Sequence, residues 1–182
     1  MTLARVGMFL CEIGMVPEPK LREILDDLAA DADDDVDHYA AACALETFGV
    51  AVRVHADDAE DLRQGYASLL ARAVEVAGGA VTISDVRLVE GDDDIEESSL
   101  DRLEFERNGV LVSIDAEHYS DHYYDHAAAC EAIASTAADD DPRAWRVIGF
   151  DRTPGRGYDS IMALATAEQA RALQEQLGVT VS

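Results

Sequence analysis

The densest set of chemically capable side chains runs from Asp115 to His126: Asp115, Glu117, His118, Asp121, His122, Asp125 and His126. Three of the five histidines fall in it. A helix capped by Ser120 and running to about Ala138 would put His122 and His126 four residues apart on one face, with Asp121 and Asp125 at the same spacing. Two imidazoles and a carboxylate are a donor set for a divalent transition metal, and His118 supplies a third nitrogen. Read this way, the chain is a metal-dependent enzyme with His118, His122 and His126 as ligands. The competing reading needs no cofactor: acids gather in a first helical turn because the helix dipole favours them, and the histidines are solvated and respond to pH. No HExxH pattern supports the metal, because Tyr123 follows His122.

Other chemistry is harder to place. Cys11, Cys43 and Cys130 are odd in number, far apart and without a CxxC pair, so they read as small buried hydrophobes in a reducing cytosol. Gly155-Arg156-Gly157 precedes a strand rather than joining a strand to a helix, so it reads as a turn and not as a phosphate loop. There is no GxSxG elbow and no acidic run with calcium-loop spacing. No catalytic residue is assigned. The aromatic residues nearest the acids are Tyr119, Tyr123, Tyr124, Tyr158 and Trp145. Tyr123 is expected in the core, and Tyr119 and Tyr124 at the surface, where tyrosine anchors interfaces. The candidate partner-binding set is Asp115, Glu117, Tyr119, Asp121, Tyr124, Asp125, Tyr158 and Asp159.

These side chains must be positioned by regular elements. Residues 3–16 are apolar on both sides and read as a strand or buried extended segment. Leu21, Ile24, Leu25 and Leu28 form a helical stripe, with Pro19 in the first turn. His38 to Leu45 reads as a short alanine-rich helix, and Phe48 to Val54 alternate as a strand. Asp57 and Glu60 have capping-box spacing before a long helix striped by Leu62, Tyr66, Leu69, Ala73 and Val76, which Gly78-Gly79 ends. A strand over about 80–90 changes phase near Asp85, as a bulge would make it do. Asn108-Gly109 predicts a two-residue hairpin turn that pairs Arg107 with Val110, Phe105 with Val112 and Leu103 with Ile114. Strands over Trp145–Phe150 and Ser160–Ala165 follow, then a helix with a Thr166/Gln169 capping box ending at Gly178, then an edge strand over Val179–Val181. The tetrapeptide Ala-Ala-Ala-Cys occurs at Ala40–Cys43 and Ala127–Cys130, each time shortly after an Asp-His pair, as coincidence or as the trace of a duplication. The order predicts an α+β fold: a mostly antiparallel sheet with a central hairpin and four or five helices packed on it. A single domain over 1–182 is expected, with a helix-rich part over 1–79 and a sheet-rich part over 80–182 as the alternative division.

Composition restricts the function classes. The chain has 182 residues, with 38 Asp and Glu against 14 Lys and Arg, a formal net charge of -24. Lys20 is the only lysine. Binding to phosphate backbones or to anionic membrane surfaces relies on Lys and Arg, so direct nucleic-acid and membrane partners are not expected. With 48% hydrophobic residues the chain can fold without a metal or disulfide. No apolar run reaches the roughly 20 residues of a membrane span, and no signal-peptide pattern is present, so a cytoplasmic location is expected. A GC-rich or halophilic host would account for part of the acidity without any partner.

One further segment matters here. Gly155-Arg156-Gly157-Tyr158-Asp159-Ser160-Ile161-Met162-Ala163-Leu164-Ala165 resembles the G-x-G-Y-D-W…A tail of some bacterial polymorphic-toxin immunity proteins, with Ser160 at the tryptophan position. The resemblance implies a small acidic cytosolic α+β inhibitor that binds a toxin domain. The expected function is therefore a non-enzymatic, immunity-like protein that offers an acidic surface to a basic partner. The alternatives are a DNA-mimic decoy of a nucleic-acid-binding protein and the metal-dependent enzyme above.

Overall fold

A computed structural model of the chain describes residues 1–55, 61–91, 100–117, 122–150 and 160–182. The N-terminus differs from expectation. Residues Leu3–Glu12 form helix α1 and not an extended segment. The side chain of Thr2 caps it, accepting from the Arg5 N–H. Val6, Gly7 and Leu10 are buried, whereas Arg5, Met8 and Glu12 are exposed. Both sets have helical spacing. Met8 in the exposed stripe is what makes the segment look apolar on every side.

The described residues form six α-helices and seven strands, an α+β fold with two sheets rather than one. The sixth helix is α1. Contacts divide the protein into two compact units, with main boundaries at Arg53/Val54 and Asp141/Pro142 and a further one at Ser160/Ile161. The second unit is inserted into the chain of the first, and the boundaries do not coincide with a division at 79/80.

The first unit contains α1, α2 (Glu18–Leu28), α3 (His38–Thr47), β1 (Ala51–Val54), β5 (Ala144–Gly149), β6 (Ser160–Ala165), α6 (Ala167–Leu177) and β7 (Thr180–Val181). Its sheet has the order β1-β6-β5-β7, with β5 antiparallel to β6 and to the edge strand β7. Val6, Leu10, Leu45, Phe48, Ile161 and Leu173 are fully buried in its core. Gly7 is required by close approach: a Cβ there would lie 2.5 Å from the Phe48 ring and 2.7 Å from Leu21. The expected capping box of Thr166 and Gln169 starts α6, and Gly178 ends it in the left-handed region at φ 66°.

The second unit contains α4 (Leu62–Val76), β2 (Ile83–Val89), β3 (Asp101–Arg107), β4 (Val110–Ala116) and α5 (His126–Ala134), with Ser160 at the start of β6 attached to it. Three antiparallel strands lie in chain order, α4 packs on β2, α5 on β4, and the two helices on each other. The hairpin has the expected register: Arg107 pairs with Val110, Phe105 with Val112 and Leu103 with Ile114. Asn108 and Gly109 both have positive φ, 52° and 77°. Leu103, Phe105, Ile114 and Ala116 are buried. The register of β2 on β3 shifts between Ser84 and Arg87, and Asp85 sits there at φ 52°, so the irregularity falls where the phase change placed it. Asp61 caps α4, accepting from Arg63 and Gln64. The Asp57/Glu60 box, the acidic connection over 92–99 and the loop over 151–159 lie outside the described residues.

The two Ala-Ala-Ala-Cys tetrapeptides share a local cause. Asp37 caps α3 and Asp125 caps α5, and each helix begins with the next residue, His38 or His126. The recurring pattern is thus a repeated way of starting a helix, with an aspartate cap before an alanine-rich first turn.

Candidate functional site

The predicted metal and partner residues centre on the entry to α5. This helix begins at His126 and not near Ser120. His122 is exposed and precedes it, so His122 and His126 do not share a helical face. Asp125 is 8% exposed, and its carboxylate is used locally. One oxygen accepts from the Ala127 and Ala128 N–H groups at 2.8 and 3.3 Å; the other accepts from the Glu117 N–H at 2.8 Å. An aspartate held by three backbone donors, tying the end of β4 to the start of α5, is not offered to a partner or a metal. Among the described residues, no group of three His, Cys, Asp or Glu side chains is arranged to hold a metal ion. His118, Tyr119, Asp121, Tyr158 and Asp159 lie outside the described residues.

The two adjacent tyrosines reverse their expected places. Tyr124 is 7% exposed and Tyr123 is 47% exposed. The Tyr124 ring meets Tyr66 edge-on, with centroids 4.9 Å apart at 85°. It also lies over Gly65, where a Cβ would strike the Tyr124 hydroxyl. The Asp125 N–H hydrogen-bonds the Tyr66 hydroxyl, and burial still pushes the Tyr66 phenol far above its ordinary 10.0. Tyr66, Tyr124 and Asp125 are thus the joint between α4 and α5, not a surface anchor. The reversal follows from a helix that starts at His126, because helical periodicity does not apply to the residues before it.

On the other side of α5, His126 Nδ1 lies 2.8 Å from Ser160 Oγ. Ser160 also hydrogen-bonds the Cys130 thiol, one helical turn along from His126. Burial pushes that thiol above its ordinary 9.0, so at neutral pH it is protonated and a poor nucleophile. The hydroxyl–imidazole distance is one a nucleophile and base would use. The nearest carboxylate in sequence, Asp125, is committed to the helix cap, so it does not orient His126 as a third member.

Of the predicted partner-binding residues, Asp115 and Glu117 are described and exposed. Asp115 lies on β4 opposite Arg102. Beside them, Glu104 receives Arg87 at 2.6 Å, with Arg102 at 3.8 Å. The larger acidic surface is elsewhere. Between Glu18 and Asp37, nine carboxylates are exposed, and Lys20 and Arg22 are the only cations in the segment. Arg22 pairs with Glu18 within α2, and the N-terminal ammonium lies 3.4 Å from Asp35. From sequence alone, Asp31 to Asp37 read as an acidic surface loop that ends the preceding helix, and Asp33–Asp35 as one of several acidic runs able to steer a basic partner.

No family model, curated protein or solved structure matches the chain. No helix among the described residues is long and apolar enough to cross a membrane.

Proposed function

We propose that the chain is a non-enzymatic binding protein that docks a basic protein partner through exposed carboxylates, in the manner of an immunity protein covering a toxin domain. One observation carries this reading. The chain carries a net charge of -24, and among the described residues nine exposed carboxylates crowd residues 18–37, where the segment itself supplies two cations, Lys20 and Arg22. Five arginines elsewhere are paired within the fold: Arg53 with Glu46, Arg63 with Glu90, Arg87 and Arg102 with Glu104, and Arg107 with Asp139. A surface with this imbalance attracts a cationic protein over distances of about a Debye length and speeds its encounter. The acids of residues 18–37 cost the fold little, because they sit in a loop and on exposed helix faces. The likeness of the 155–165 segment to immunity-protein tails supports an inhibitory rather than a catalytic role, and cytoplasmic residence accords with that role.

The test is association with the product of the adjacent gene, measured with purified proteins at low and at physiological ionic strength. A complex that weakens as salt rises is the expected result. Absence of binding at low salt as well as high would end the proposal.

A further inference from the structure

The Asn108-Gly109 turn fixes which backbone groups of β4 face outward. In a two-residue hairpin the residues flanking the turn exchange both backbone hydrogen bonds, and the pattern then alternates along the ladder. Arg107–Val110 is that first pair, so Phe105–Val112, Leu103–Ile114 and Asp101–Ala116 are the further hydrogen-bonded pairs. The N–H and C=O groups of Leu111, Ser113 and Asp115 therefore point away from β3. In the order β2-β3-β4, that direction is the side on which no further strand pairs among the described residues. Among the described residues, no hydrogen bond from outside the sheet reaches these three. Leu111 is 59% exposed and its neighbour Val110 67%; Ser113 and Asp115 are also exposed. Among the described residues this edge is seven residues of regular strand with no proline, lysine or bulge, and Asp115 is its one charge, so little guards it against pairing.

We propose that the outer edge of β4 is a docking site for an extended segment of the protein partner, which adds a fourth strand to the β2-β3-β4 sheet. The inference rests on the basic-partner reading above and specifies where and how the partner binds. Three outward backbone sites favour a strand over a helix or a flat surface. The side chains on the same face set its chemistry. Leu111 is apolar at the hairpin end, and Asp115 and Glu117 are acidic at the other end. Glu106 stands beside Leu111 on β3, while Glu104 is already occupied by Arg87 and Arg102. The matching segment carries an apolar side chain and, four residues along, a Lys or Arg. A second copy of this chain fits poorly. Pairing two β4 strands about Ser113 would set Asp115 against Leu111 and bring together two chains of charge -24.

The test uses the full isotope-labelled chain and a short blocked peptide that alternates Thr with Val and Lys. A control peptide has the same sequence with every second amide N-methylated. The expected result is that the amide signals of Leu111, Ser113 and Asp115 shift and gain exchange protection, and that N-methylation weakens binding about tenfold or more by removing strand hydrogen bonds. Ser113→Pro deletes one outward N–H where an edge strand tolerates proline, and should cause the same loss with the melting temperature retained. Leu111→Lys is a second variant that does not depend on the backbone accepting proline. Equal binding by the N-methylated peptide, with shifts confined to residues 18–37, would overturn the edge site and leave the basic-partner reading standing. No binding of either peptide, or a homodimer that Ser113→Pro dissolves, would also overturn it.

Discussion

Asp125 is the residue on which the α5 entry depends. Its carboxylate caps the helix and holds the Glu117 N–H, so Asp125→Ala removes a cap and the acceptor of a part-buried donor. A loss of about 2 kcal/mol in stability is expected from urea unfolding, with Asp125→Asn losing less because an amide oxygen still caps. Tyr66 and Cys130 give the same region a pH dependence. Both have folded pKa values raised by burial, from 10.0 and 9.0 respectively. The unfolded chain therefore ionises first as pH rises. The stabilisation is fully present below 9.0 and is lost progressively above it, first through Cys130 and then through Tyr66. Melting temperature should fall on the alkaline side, and Cys130→Ala and Tyr66→Phe should each flatten part of that fall. At this scale the sequence was only partly legible. The acids and tyrosines of the site could be picked out, but whether Tyr123 or Tyr124 faced the core depended on where the helix begins.

Elements with a steric or backbone cause were the most legible. Asn108-Gly109 dictated the hairpin because both residues accept positive φ, and the Thr166/Gln169 box dictated the start of α6. Asn108→Ala should cost about 1 kcal/mol and loosen the hairpin register, read by hydrogen exchange on β3 and β4. Helix α1 was not legible, since Met8 on its exposed face hid the helical period. Its packing gives a sharp prediction. Gly7→Ala forces a methyl group against Phe48, which is buried in the core and has no free direction to move. A net destabilisation of about 1–3 kcal/mol is expected from thermal unfolding, despite alanine's better helix propensity.

At the scale of the molecule, the α+β class was readable from element order, but the insertion of one unit into another was not. It depends on β6 lying beside β1, a pairing between strands far apart in the chain that no local pattern announces. The charge was readable from composition and the acidic run from the sequence, whereas the exposure of all nine carboxylates over residues 18–37 needed the fold. On the proposed function, this surface charge serves association with a basic protein. The most direct test is calorimetric titration of the chain with the adjacent gene's product across ionic strength, beside a variant with Asp33, Asp34 and Asp35 replaced by Asn. A one-to-one complex is expected, with an affinity that falls as salt rises and falls again in the variant. A complex indifferent to both salt and neutralisation, or no complex at low salt, would contradict it.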